Sequence, residues 1–183
     1  MIENKEQLIE KAYKTGFDSE KAWGGCGQCT MIGVFEALGI DNPQLIKAGS
    51  GLAAGGGRMC DGACGGYAGG IMAMSSIFGR RREFMDGDID NKNASYEMAC
   101  GLREVFLDQY GTVTCKDIHK KLFGRTYDMY NPDEKEQFDK DGAHTTKCTG
   151  VVGTAARESV RLILKEAEKQ GLSLEQLREK AKS

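Results

Sequence analysis

The chain has 183 residues, a formal net charge of −2 and seven cysteines. That length supports a single domain over residues 1–183, with a core large enough to fold without disulfide staples. With Arg80, Arg81 and Arg82 as the one basic run, the charge balance argues against a nucleic-acid partner.

The opening MIENKEQLIEKAYK is acidic where a signal peptide has a basic region and then an apolar run. Nothing later approaches the ~18 uninterrupted apolar residues of a membrane span. A cytoplasmic protein with no membrane partner is therefore expected. In a reducing cytoplasm an odd number of cysteines points to metal or redox chemistry more than to a disulfide framework.

Asn4 can cap a first helix from about Lys5 to Lys14, with Leu8, Ile9, Ala12 and Tyr13 on one side and Gly16 beyond its end. FDSEKAW reads as an exposed link. Gly24-Gly25-Cys26-Gly27-Gln28-Cys29 then opens a segment whose Met31, Ile32, Phe35 and Leu38 recur at helical spacing until Gly39. Asn42-Pro43 restarts the chain for one short turn through Leu45 and Ile46.

From Gly49 to Gly70, ten of 22 residues are glycine, a density tolerated mainly where positive φ or close backbone approach is required. Cys60 and Cys64 lie in this loop, which feeds an apolar helix from Tyr67 to Phe78 that stops at Gly79. RRREFMDGDIDNKN is a polar surface connection. Asn93 can cap the next helix, striped by Met98, Leu102, Val105 and Phe106, with Cys100 inside it as a small buried apolar residue.

Thr114-Cys115-Lys116-Asp117 has the pattern of a capping box opening a short helix to Gly124. Arg125 to Lys147 is polar and long for a plain connection, an excursion with a short helix near Asp133 to Phe138. Thr146 can cap the longest helix, along Val151, Val152, Ala155, Ala156, Val160, Ile163 and Leu164 to Gly171. Ser173-Leu174-Glu175-Gln176 is a second box for a terminal helix with Leu177 and Ala181. No strand-like alternation competes, so the fold expected is an all-α helical bundle with the glycine loop and several helix starts at one end. The apolar faces of its first and last helices exceed what a small core needs, which suggests a homodimer.

Four cysteines share one setting. Cys26, Cys64, Cys115 and Cys148 each fall in the first turn of a predicted helix. There the helix dipole and unpaired N–H groups favour a thiolate, the form that binds metal. If four such starts converge, they would stabilise thiolates around a metal centre and tune its potential.

These residues resemble a known family, the redox-active proteins named for a C-GCAxxG-C-C cysteine pattern. The resemblance runs from about Trp23 to Leu164. It rests on Cys26-Gly27-Gln28 before the helix ending at Leu38-Gly39, on Gly55-Gly56-Gly57 leading to Cys64-Gly65-Gly66-Tyr67-Ala68-Gly69, and on single cysteines at Cys115 and Cys148. The chain departs from the pattern at Gly66, where Ala is expected, and in carrying Cys29, Cys60 and Cys100. The resemblance implies a redox protein that binds an iron–sulfur cluster, without implying a substrate.

The leading expectation is an iron–sulfur electron-transfer protein with a redox protein partner. Its ligands would be Cys26, Cys64, Cys115 and Cys148, with Cys60 and Cys29 in reserve. Two alternatives stand. Cys26 and Cys29 have thioredoxin-motif spacing at a helix start and could act as a thiol–disulfide oxidoreductase, although the βαβ setting is missing. Cys26, Cys29, Cys60 and Cys64 could instead hold a structural zinc ion.

His119 and His144 read as surface residues. Tyr67, Trp23, Met72 and Met74 read as packing that keeps water from the cysteines. Arg80 to Arg82 could dock an acidic partner or simply complement a helix C-terminus.

Overall fold

The computed structural model describes residues 2–182. Among these it has nine α-helices: α1 (Lys5–Trp23), α2 (Cys26–Leu38), α3 (Pro43–Ala48), α4 (Gly65–Phe78), α5 (Ile89–Tyr110), α6 (Cys115–Phe123), α7 (Pro132–Lys140), α8 (Cys148–Lys169) and α9 (Leu174–Lys180). The one β-type pairing among them is an isolated antiparallel bridge between Ala63 and Thr114. Among the described residues no helix is long and apolar enough to cross a membrane.

The apolar stripe of α8 decides the arrangement. Val151, Val152, Ala155, Ala156, Val160, Ile163 and Leu164 are all buried. Around them pack α1, α2, α4 and α5. Because α8 meets a neighbour on several sides, its apolar face must be wide, as the sequence spacing provides.

Helix α1 runs nine residues further than the sequence suggests. Gly16 ends nothing; it lies inside the helix and is buried. A Cβ there would sit 3.1 Å from Ala156 Cβ on α8, and one at Gly33 of α2 would sit 2.8 Å from both Ala12 O and Ala156 Cβ. The glycine marks a close helix crossing. It also carries the FDSEKAW segment into the helix, so Ser19 and Glu20 are buried.

Four expected side-chain caps do not form, the first being Asn4, which stands at the N-cap of α1 without a side-chain cap bond. Helix α5 starts at Ile89, behind Asp88, and Asn93 is an exposed residue within it. Thr114 stands at the N-cap of α6 without a side-chain cap bond. That helix start is tied to the glycine loop instead, by Cys115 N–H donating to Gly62 O (3.0 Å) and Lys116 N–H to Cys60 O (2.8 Å). A π-helical turn, Ala143–Lys147, leads directly into α8, with Thr146 and Lys147 N–H donating to Gly142 O. The Ser173–Gln176 capping box forms as expected.

Leu177 of α9 and Ile9 and Ala12 of α1 are buried within the chain. The apolar faces that suggested a homodimer are thus already covered.

Gly33→Ala should lower the unfolding free energy by about 1–3 kcal/mol, because the methyl meets backbone that cannot move independently. Gly51→Ala, which meets nothing within 4 Å, should stay within about 0.5 kcal/mol. Denaturant unfolding of the two variants reads the contrast; equal stabilities would contradict the close crossing.

Candidate metal centre

Cys26 is the first residue of α2, Cys64 the N-cap of α4, Cys115 the first residue of α6 and Cys148 the first residue of α8. All four line one cavity of about 260 Å³. Glycine permits this convergence where α2 and α4 meet. A Cβ on Gly65 would overlap Cys26 Sγ, and one on Gly69 would overlap the carbonyl oxygen of Gly27. With side chains at those positions the two helix starts could not approach.

The glycine loop then closes over Cys26, whose sulfur accepts a hydrogen bond from Ala54 N–H at 3.4 Å. Several loop residues hold left-handed backbone, among them Ala54, Arg58 and Cys60 as well as Gly55, Gly56 and Gly57. For the three non-glycines this conformation is costly and persists only where surrounding bonds fix it. Here Cys60 N–H donates to Ala54 O at 2.8 Å and Arg58 N–H to Ala53 O at 2.9 Å.

Burial is the main cause that raises the Cys26, Cys64 and Cys148 thiols above their ordinary range. The neighbouring cysteines add to it at Cys26 and Cys148. Backbone N–H groups work the other way, from Ala54 and Gly27 at Cys26 and from Tyr67 and Gly66 at Cys64. The arrangement therefore offers sulfur ligands whose charged form needs a cation beside it.

A second apolar cluster surrounds the far side of the site. It joins Cys60 and Cys115 to Tyr127, Met129, Phe138 and Ala143, with Cys148 packed against it. The polar excursion from Arg125 to Lys147 supplies most of these residues. It is pinned to the glycine loop by Tyr130, whose hydroxyl donates to Gly57 O at 2.7 Å.

Both histidines belong to this region, contrary to their surface reading. His119 is buried, ringed by Phe123, Tyr127 and Phe138. Its Nε2 lies 3.5 Å from Cys115 Sγ. Cys60 Sγ, Cys115 Sγ and His119 Nε2 or Nδ1 fall within 4.8 Å of one another, the one such three-donor group among the described residues. The hydrogen bond from Cys115, helped by His119, holds the Cys60 thiol below its ordinary range, whereas the same bond raises Cys115. The i,i+4 spacing of Cys115 and His119 on one helix face was the available sequence signal.

His144 lines the cavity with Glu20. Its Nδ1 lies 2.7 Å from Asp139 Oδ1 and its Nε2 3.8 Å from Glu20 Oε1. Glu20 Oε2 is buried with no hydrogen-bond partner among the described residues. Burial raises the Glu20 carboxyl from 4.5 to about 7.

The other sequence candidates lie elsewhere. Cys29 does not line the cavity; its S–H donates to Gly24 O at 3.0 Å, tying the start of α2 to the end of α1. Cys100 is exposed rather than buried. Trp23 is 72% exposed at the cavity rim. Tyr67 packs on Phe106, and Met74 lies in the main core with Met72 against it. Ile118, Met129, Phe138, Val151 and Val152 line the cavity in their place. Arg80 donates to Met85 O and Arg81 stacks on Phe84, so both engage their own segment.

The model of the family described as "Putative redox-active protein (C_GCAxxG_C_C)" matches residues 25–162. No curated protein and no solved structure matches the chain.

Protonated Glu20 contributes stability that is complete below about pH 4.5 and is lost as pH rises through about 7. The loss is on the order of 3 kcal/mol across that window. Metal-free Glu20→Gln protein should therefore gain on wild type between pH 5 and pH 8 in denaturant unfolding. A constant difference between the two across that range would contradict the burial of this carboxyl.

Proposed function

The chain belongs to the C_GCAxxG_C_C family of redox-active proteins, and we propose that it holds an iron–sulfur cluster on Cys26, Cys64, Cys115 and Cys148 and transfers electrons between cytoplasmic protein partners. The observation that carries this is the meeting of four cysteines from four separate helix starts in one cavity.

Their spread favours a cluster over a single ion. Around one tetrahedral metal, sulfur ligands at about 2.3 Å stand about 3.8 Å apart. Among the described residues no three of these four sulfurs fall within 4.8 Å of one another. A cluster places metal and sulfide between the cysteines and so bridges the wider span. When bound, it supplies one-electron exchange.

The protein's own residues set the conditions for that exchange. The Ala54 N–H on Cys26 and the Gly66 and Tyr67 N–H groups facing Cys64 favour sulfur in its charged form. Val151, Val152, Met129 and Phe138 limit water at the cavity wall. Trp23, exposed at the rim, gives a partner protein a contact close to the site.

The alternatives have less support. A thiol–disulfide exchange through Cys26 and Cys29 needs a depressed thiol, whereas burial raises both. A zinc site on Cys26, Cys29, Cys60 and Cys64 would need Cys29 to leave Gly24 O and Cys60 to leave Cys115.

Protein purified without oxygen should be brown, contain iron and acid-labile sulfide, and bleach with dithionite. Single Cys→Ser changes at 26, 64, 115 and 148 should each lower the iron content, whereas Cys29→Ser should not. Colourless protein with stoichiometric zinc, or metal-free protein that reduces a disulfide substrate and loses this in Cys26→Ser, would overturn the reading.

A further inference from the structure

The cluster reading leaves Cys60 and His119 without a role. Both are buried, and each is held by a separate device. Cys60 is presented by a left-handed backbone (φ 61°) fixed at both its N–H and its carbonyl. His119 projects from α6 one turn beyond Cys115 and is clamped by three aromatic rings.

The distances fit a single ion. For a tetrahedral metal with sulfur at about 2.3 Å and imidazole nitrogen at about 2.0 Å, the sulfur–nitrogen edge is about 3.5 Å. Cys115 Sγ and His119 Nε2 are 3.5 Å apart. The edge between two thiolates would be about 3.8 Å, and Cys60 and Cys115 lie within the 4.8 Å that bounds the group. Two thiolates and a neutral imidazole form the borderline-soft donor set that suits zinc.

We propose that Cys60, Cys115 and His119 form a mononuclear site for a zinc-class divalent cation, adjoining the cluster site and sharing Cys115 with it. Cys115 and His119 both line the cavity, so the fourth position of a tetrahedral ion is reached from it. Three protein ligands with one position open to a cavity is the pattern of a reactive rather than a closed structural zinc. Cys115 belongs to both ligand sets. The proposal needs no cluster.

The test uses the full chain with Cys26→Ser and Cys64→Ser, metal-free, reduced and titrated with cobalt(II) without oxygen. One equivalent should bind, with thiolate-to-cobalt charge-transfer absorption and the visible bands of a tetrahedral ion. Adding His119→Ala or Cys60→Ser should weaken binding at least about tenfold. If His119→Ala loses its helical circular dichroism, the near-isosteric Cys60→Ser carries the test alone.

Unchanged affinity and bands in those variants would overturn the proposal and leave Cys115 and His119 as a hydrogen-bonded pair only. Cobalt that binds wild-type protein but not the Cys26→Ser, Cys64→Ser background would overturn it too, as would cobalt that binds neither. The iron and sulfide content of wild-type protein reports on the cluster separately, so either reading can fail without the other.

Discussion

Like charge in a dry place is the constraint on which this structure turns. Four thiolates cannot share one buried cavity unless positive charge is placed among them. Each helix start contributes roughly half an elementary charge through its dipole, and only within its first turn. Three free starts, at Cys26, Cys64 and Cys115, therefore offset about 1.5 of four thiolate charges, and Cys148 follows the π-helical turn whose N–H groups already bond Gly142 O. Burial keeps the bare thiols protonated, so holding all four as thiolates requires positive charge beside them, which on the proposed reading a cluster would supply.

Bringing four helix starts together limits the sequence around them. Helices α2 and α4 meet only because Gly65 and Gly69 have no side chains where Cys26 sulfur and Gly27 carbonyl oxygen lie, and Gly27 leaves room for Leu52 of the glycine loop. Deeper in the bundle, Gly16 and Gly33 let α1, α2 and α8 approach in the same way. The glycine loop is held down from two directions. The 113–116 segment bonds its backbone on one side, and Tyr130 caps it from the other. Packing and chemistry are thus set by the same backbone, since any shift of the loop moves Cys60 and Cys64 and alters the Ala54 N–H bond to Cys26.

The helices and the four helix-start cysteines were legible in the sequence because both are local. A glycine or cap-type residue one or two positions before, a cysteine, and an apolar period after define a helix start without knowledge of the rest of the fold. What stayed hidden is tertiary. Gly16 has the local signature of a stop, and only its contact with Ala156 shows it to be a crossing. Thr114 and Thr146 have cap chemistry, yet the glycine loop and the turn after Gly142 satisfy those helix starts. His119 looks like a surface residue among lysines until the excursion folds Tyr127 and Phe138 over it. Cys100 shows the reverse error: its residue type favours burial, but its position on α5 faces outward.

Iron K-edge X-ray absorption on protein isolated without oxygen tests the central claim most directly, because it reads what surrounds the metal. The account predicts a first shell dominated by sulfur together with iron–iron scattering, both lost in Cys64→Ser, which removes the ligand at the start of α4. A first shell of oxygen and nitrogen without iron–iron scattering, or a sulfur shell that survives Cys64→Ser unchanged, would contradict it.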